Sequence, residues 1–251
     1  MSEHARRVVI FGATSAIAEH CARIWVRQSV IELLLVGRDS SKLELVAADL
    51  RVRSPSSSIR CLQADFVDLE HIGALVQTIA GLGAIDIALI AHGSLPDQKE
   101  CERDLGRVAE ALSVNGLSPV LIAEALAQPM QAAGRGTIAI IGSVAGERGR
   151  KSNYVYGAAK GMVARYAQGL QHRLAGSGVK IVLIKPGPTD TPMTAHLKAA
   201  GSRLASVDSV AQAIVKGIDL GRPEIYVPAR WLLIMLVIRH LPRWIFNRMD
   251  I

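Results

Sequence analysis

Tyr156 and Lys160 stand four residues apart in the run Tyr156-Gly157-Ala158-Ala159-Lys160. On a helix, positions i and i+4 share a face, so the ammonium of Lys160 sits beside the phenol of Tyr156. A neighbouring cation favours phenolate and draws a tyrosine down from about 10 toward working pH. That makes Tyr156 a usable general acid or base. Ser143 closes an apolar run thirteen residues earlier, where its hydroxyl could bind a carbonyl oxygen. Asn115 lies in the middle of a helix-like stretch, a poor place for asparagine unless its side chain has a task. Tyr154, six residues from Lys160, faces away from it on a helix. Proton transfer at a carbonyl is the chemistry this set would perform.

A second group has the character of a nucleotide cradle. The apolar run 8–11 leads into Gly12-Ala13-Thr14-Ser15-Ala16-Ile17-Ala18 and then a helical stretch. In a strand–turn–helix unit this first turn holds a pyrophosphate, through close backbone approach and the positive helix N-terminus. The spacing follows G-x-x-x-G-x-G with alanines at 16 and 18, and Thr14 and Ser15 add hydroxyl donors. The second strand ends Val36-Gly37-Arg38, with Gly37 where an NAD-preferring fold carries an acid. A guanidinium at Arg38 can pair with a 2′-phosphate, which favours NADPH and leaves NADH open. Asp65, after the third strand, could reach an adenine amino group or serve as a helix N-terminal acid. Ala91-His92-Gly93 ends the fourth strand with small residues that let the backbone pass close to a cofactor. His92 has no metal or triad partner in view and reads as structural or substrate-lining. No metal site is expected.

These residues must be positioned by alternating elements. Short β-branched runs at 7–11, 31–36, 58–63, 85–91, 137–142, 179–184 and 224–227 read as strands. Ala/Leu-rich stretches near 16–28, 40–53, 68–80, 102–131, 153–175 and 208–219 read as helices. The alternation predicts a doubly wound, Rossmann-type α/β fold with a parallel seven-stranded sheet. Five of the strands, VVIF, LLLV, IALI, IAII and IVLI, are continuously apolar, as strands covered on both faces are. A single domain over 1–228 with a tail over 229–251 is the expected organisation.

Composition narrows the class further. Of 251 residues half are hydrophobic, 20% are charged and only 4% are aromatic, so disorder is excluded and the core is aliphatic. A formal charge of +7 admits phosphates or an anionic membrane face as partners. No basic run interleaved with aromatics is present, and nucleic acid is not expected. Cys21, Cys61 and Cys101 are scattered and odd in number, which reads as reduced thiols in a cytoplasmic protein. The amino-terminal apolar run is too short for a signal peptide, and no apolar stretch approaches the ~20 residues of a membrane span.

Taken together, these motifs resemble the short-chain dehydrogenase/reductase family across essentially the whole chain. The resemblance rests on the turn at 12–18, Asn115, Ser143, Tyr156, Lys160 and the segment Pro186-Gly187-Pro188-Thr189-Asp190-Thr191. It implies that Ser143 polarises a carbonyl, Tyr156 transfers a proton, Lys160 holds the nicotinamide ribose and Asn115 positions a water. Thr189 and Thr191 match positions that hold the nicotinamide carboxamide, with Pro186 and Gly187 shaping that segment. Homo-oligomers are usual in the resembling family. Two departures stand out: Ala16 and Ala18 replace glycines of the usual turn, and Ala91-His92-Gly93 replaces Asn-Ala-Gly.

The tail is the unusual part. The run from Trp231 to Ile238 is apolar all round, and such a helix must be buried in something. With Arg230, Arg239, Arg243, Arg248, Trp231 and Trp244 it also fits a helix lying in a membrane interface. A tail packed on the substrate cleft or on a partner subunit stays equally open. Its sequence, with Ser143-Val144-Ala145-Gly146-Glu147-Arg148 and Thr194-Ala195-His196-Leu197-Lys198, resembles the decaprenylphosphoryl-2-keto-erythro-pentose reductase subfamily. That implies a lipid-linked keto-sugar substrate in cell-wall synthesis, on the inner face of the plasma membrane. Arg148 or Arg150 would then be phosphate partners, against the alternative of a solvated loop. Another lipophilic ketone, 3-ketoacyl or sterol-like, and a non-catalytic dinucleotide sensor are the competing expectations.

Overall fold

Seven strands pair into one parallel sheet: β1 (Arg6–Phe11), β2 (Ile31–Gly37), β3 (Ser58–Gln63), β4 (Ile87–Ile90), β5 (Gly136–Ile141), β6 (Val179–Pro186) and β7 (Glu224–Val227). Their order is β3-β2-β1-β4-β5-β6-β7. The computed structural model describes residues 5–249. Residues 1–4 of the amino-terminal stretch and 250–251 of the tail lie outside the described residues. The central register places Val9 between Leu34 of β2 and Ala88 of β4. Val8, Val9, Ile10 and Phe11 of β1 are wholly buried, as a strand covered on both faces demands. Each such apolar side chain contributes about 1.5–3 kcal/mol relative to exposure. Strand order reverses between β1 and β4, and the crevice beyond their carboxyl ends is where such sheets take ligands.

One face of the sheet is covered by α1 (Ala16–Gln28), α2 (Ser40–Arg53) and α9 (Val207–Asp219). The other carries α3 (Ile72–Gly81), α6 (Ser118–Ala132) and α7 (Tyr154–Arg173). The caps are local in sequence. The Oγ of Ser15 accepts from Ala18 N at 3.3 Å, Oδ1 of Asp39 from Lys42 N at 3.0 Å, and Oγ of Ser206 from Ser209 N at 3.3 Å. The three cysteines are free, with Cys21 and Cys101 buried.

The helix expected over 102–131 starts at Leu105, after the short α4 (Gln98–Arg103), and comprises α5 (Leu105–Leu112), a π turn over Ser113–Leu117, and α6. Asp104 in extended conformation ends α4 and caps α5, its carboxylate accepting from Gly106 N at 2.7 Å. Helical conformation then runs on from Leu105 to Ala132, 28 residues, long and apolar enough by length and composition to cross a membrane. Ile122, Ala123, Leu126, Ala127 and Met130 of that run are buried in the core layer. The stretch near 68–80 opens with a 3-10 turn over Leu69–His71. Asp68 precedes that turn, so Asp65 is not its N-terminal residue.

After β7 come α10 (Arg230–His240) and α11 (Arg243–Phe246), separated at Leu241-Pro242; the short α8 (Ala195–Ala199) lies before α9. Within this chain the fold covers only one side of the tail helix. Only Met235 of α10 is buried, while Leu232, Leu233, Ile234, Leu236 and Val237 are exposed. The sheet edge offers α10 one narrow strip, formed by Val144 and Tyr226, so a helix apolar on every side keeps most of its surface open.

Candidate active site

The site is assembled at the carboxyl ends of β1, β2, β4, β5 and β6. Gly12 leaves β1 with φ of +82°, a region glycine enters freely. A Cβ there would stand 2.5 Å from the backbone nitrogen of His92. The turn therefore needs glycine on two grounds, backbone hand and packing. Thr14, Ala16 and Ile17 follow half-buried, with Ser15 capping α1. Among the described residues no non-glycine residue has positive φ, and Ala16 enters the helix directly, so alanine is accommodated there. Ala91 N donates to Phe11 O at 2.8 Å, joining the two strand ends. Gly93 is nested so closely that a Cβ would stand 2.8 Å from Oδ1 of Asn115 and 3.7 Å from Nζ of Lys160.

Asn115 is fully buried in the π turn. Its Nδ2 donates to Ala111 O at 3.0 Å and its Oδ1 accepts from Ser94 N at 2.9 Å. The side chain thus ties the widened helical turn to the loop after β4, which is the task its mid-helix position called for. His92 is structural: its Nε2 lies 2.9 Å from the Ser118 hydroxyl and its ring 4.6 Å from that of Phe66. Burial, with Lys160 and Arg38 adding to it, pushes its imidazole down to about 3, so it stays neutral.

Ser143 follows β5 and caps a 3-10 turn over Val144–Glu147, its Oγ accepting from Ala145 N at 3.1 Å. Tyr156 and Lys160 come from the first two turns of α7. Gly157 lets α7 approach, since a Cβ there would stand 2.9 Å from Ala145 O. The Lys160 ammonium lies 5.8 Å from the Tyr156 ring centroid and donates to Ile141 O at 2.9 Å. The expected lowering of the phenol by Lys160 is not what this geometry produces. Burial pushes Tyr156 up to about 12, opposed by a hydrogen bond with Ser143, and burial pushes Lys160 down to about 8. Desolvation outweighs the cation because the ammonium is turned toward a carbonyl, over the ring face.

Arg38 is exposed beyond β2, its carbonyl accepting from Gln63 Nε2 at 3.0 Å. Asp65 is exposed and closes a turn by accepting from Val67 N at 3.0 Å. Pro186 and Gly187 are buried at the end of β6, with Gly187 N donating to Val227 O at 2.8 Å. The buried Thr189 hydroxyl donates to Gly187 O at 2.9 Å. Thr191 caps the following 3-10 turn with Thr194. A glycine cradle at Gly12 and Gly93, a capped helix N-terminus and the Lys160 ammonium converge along one crevice. These residues fit a dinucleotide.

Several participants were not anticipated. Glu147, whose side chain is 3% exposed, holds Lys185 Nζ at 2.5 Å and the Tyr226 phenol on Oε1. Lys185 also pairs with Glu224 at 2.8 Å, and Arg239 Nε lies 3.3 Å from Oε2 of Glu147. A lysine inside the apolar run Ile181–Lys185 was the visible signal for this buried cluster. Arg148 is half-buried and engaged with the tail rather than free as a loop cation. Its Nη1 donates to Ile238 O at 2.5 Å, Leu241 O at 2.7 Å and Arg239 O at 3.2 Å. Trp231 covers Gly187 so closely that a Cβ at Gly187 would overlap its indole.

Comparison with known proteins agrees with the fold. Residues 6–201 match the family described as short chain dehydrogenase. An uncharacterised oxidoreductase of Mycobacterium tuberculosis is 32% identical over 243 residues, covering 96% of each chain. One of Streptomyces coelicolor is 30% identical over 248 residues, covering 97% of this chain and 96% of its own. Among solved structures, a short-chain dehydrogenase from Sphingobium yanoikuyae in complex with NADPH is 25% identical with a TM-score of 0.79, covering 95% of this chain and 97% of its own. A putative NAD(P)-dependent gluconate 5-dehydrogenase from Beutenbergia cavernae, with NADP bound, is 25% identical with a TM-score of 0.81, covering 92% and 98%. The chain belongs to the short-chain dehydrogenase family, and it is an NAD(P)-dependent oxidoreductase.

Proposed function

We propose that this protein is an NADPH-dependent reductase of a lipid-linked, polyprenylphosphoryl 2-keto-pentose. The convergence of Ser143, Tyr156, Lys160 and Asn115 on one crevice carries the reductase reading. The Ser143 hydroxyl donates a hydrogen bond to the substrate carbonyl oxygen, and the Tyr156 phenol delivers the proton to that same oxygen. Lys160 holds the ribose and its charge favours phenolate once the proton has left. Asn115 keeps the loop after β4 and a relay water in place. When bound, the reduced nicotinamide supplies hydride to the carbonyl carbon. Gly12, Thr14, Ser15, Ala16 and Ile17 receive the pyrophosphate; Arg38 the 2′-phosphate; Asp65 the adenine; Ala91, Gly93, Pro186, Gly187, Thr189 and Thr191 the nicotinamide half. NADP and NADPH in the two structural relatives support this choice.

The lipid part of the reading is supported by the exposed apolar row Leu232, Leu233, Leu236, Val237 and Trp244, ringed by exposed Arg230, Arg239, Arg243 and Arg248. A helix of this kind lies in the interface of an anionic membrane. The protein would then work in the cytoplasm, as a homo-oligomer peripheral to the inner leaflet. With Arg148 engaged in the fold, Arg150 is the arginine left for the lipid phosphate, its Nε having no hydrogen-bond partner among the described residues.

Two experiments test this. Oxidation of NADPH should be faster with a polyprenylphosphoryl 2-keto-pentose than with 3-ketoacyl, sterol-like or short ketones; equal rates throughout the panel would remove the lipid-sugar assignment. Leu233→Glu with Val237→Glu should cut binding to anionic vesicles by about tenfold. Unchanged pelleting would reassign the row to a partner subunit.

A further inference from the structure

We infer that Arg148 is a positioning residue for the substrate site: by capping the carboxyl end of α10 it holds the tail as a wall against the turn that carries Ser143. The inference rests on the carbonyl-reductase reading of that site. Arg148 follows Ser143 by five residues and comes directly after the 3-10 turn that Ser143 caps. A helix end leaves carbonyls without intrahelical partners, and a cation there is favoured by the helix dipole. One guanidinium nitrogen gathers three of them, from Ile238, Arg239 and Leu241. The same guanidinium lies 3.9 Å over the ring of Phe246, so it also holds α11 beyond the break at Pro242. Glu147, the preceding residue, engages Arg239 from the other side. Two consecutive residues of the Ser143 loop therefore grip the last turn of the tail helix.

The opposite end of α10 reaches the other wall of the crevice. Trp231 lies over Gly187, in the segment leading to Thr189, while Met235 and Ile238 pack with Val144 beside Ser143. The helix thus runs from the segment after β6 to the turn after β5 that carries Ser143. A substituent extending from the reacting carbon along this wall meets α10, whereas a small ketone does not. Releasing the clamp should cost binding of long ketones and leave chemistry on small ones intact.

The test combines hydrogen exchange with kinetics on the full chain. Arg148→Ala should speed exchange of the α10 amides by about tenfold, with α7 unaffected, as expected for losing hydrogen bonds to a charged donor. KM for a ketone bearing a long isoprenoid chain should rise about tenfold at constant kcat, while KM for a short ketone and for NADPH stays within about twofold. Arg148→Lys keeps the charge and three N–H donors and should restore most of the α10 protection. Phe246→Ala, which leaves Arg148 in place, should loosen α11 and raise the long-chain KM alone, and it stands in if Arg148→Ala does not fold. Unchanged α10 exchange overturns the proposal. So does a KM rise confined to phosphate-bearing ketones, which would make Arg148 a phosphate ligand, and so does an equal rise for short and long ketones. If the wild type reduces no ketone, the reductase reading fails, and the exchange data still decide whether the clamp exists.

Discussion

Burial acts against both ionisable members of the proton pair, raising Tyr156 to about 12 and lowering Lys160 to about 8. The ordinary lysine value is 10.5, so between 8 and 10.5 the folded protein holds fewer protons than the unfolded chain. Wild-type stability therefore rises with pH across that window, and a buried ammonium costs stability below it. Lys160→Met should be more stable than wild type by about 1–3 kcal/mol at pH 7, the gain shrinking toward pH 10.5, while turnover is lost. Thermal melts across pH check this, and a lower melting point at pH 7 would contradict it. Arg38 belongs to the same scale. Arg38→Ala should raise KM for NADPH about tenfold and leave KM for NADH unchanged, because only the former presents a phosphate. Equal effects would show that Arg38 does not read that group. The identities of these residues were legible from type and spacing, but the balance of their charges was not. The Tyr156–Lys160 spacing says the two share a face; it does not say that the ammonium turns to Ile141 O.

At the scale of elements, strands were the most legible because burial on both faces leaves an uninterrupted apolar run such as Val8 to Phe11. Helices on the sheet were found for the complementary reason, and their ends fell where Ser15, Asp39 and Ser206 accept from the first turn. The helix expected over 102–131 is present from Leu105 to Ala132, and only its start differs. Asp104 sets that start by capping, which propensity alone does not distinguish from an exposed helical aspartate. The π turn around Asn115 depends on a partner, Ser94 N, 21 residues away. Asn115→Ala should leave that N–H unpaired and destabilise the protein by about 1–3 kcal/mol in denaturant unfolding. Turnover should fall further than stability, since the loop after β4 loses its anchor. A variant with wild-type stability would mean that the turn is held by backbone geometry alone.

For the whole molecule, the parallel sheet supplies a crevice at its order reversal, and the tail packs beside β7 and the turn that carries Ser143. The tail's apolar character was plain in the sequence, yet its burial was not, because an edge strip beside β7 covers only one line of a helix. The same edge explains Arg148. A local reading offers loop or ligand, and only the fold brings three carbonyls from residues some ninety positions away. The proposed activity depends on Tyr156 moving a proton at the crevice these elements form. The most direct measurement is therefore single-turnover NADPH oxidation with ketone by wild type and Tyr156→Phe, beside NADPH binding by fluorescence. The expected result is a rate loss of at least about 10²–10⁴-fold with affinity for NADPH within about twofold. A Tyr156→Phe protein that reduces ketone at the wild-type rate would contradict the account.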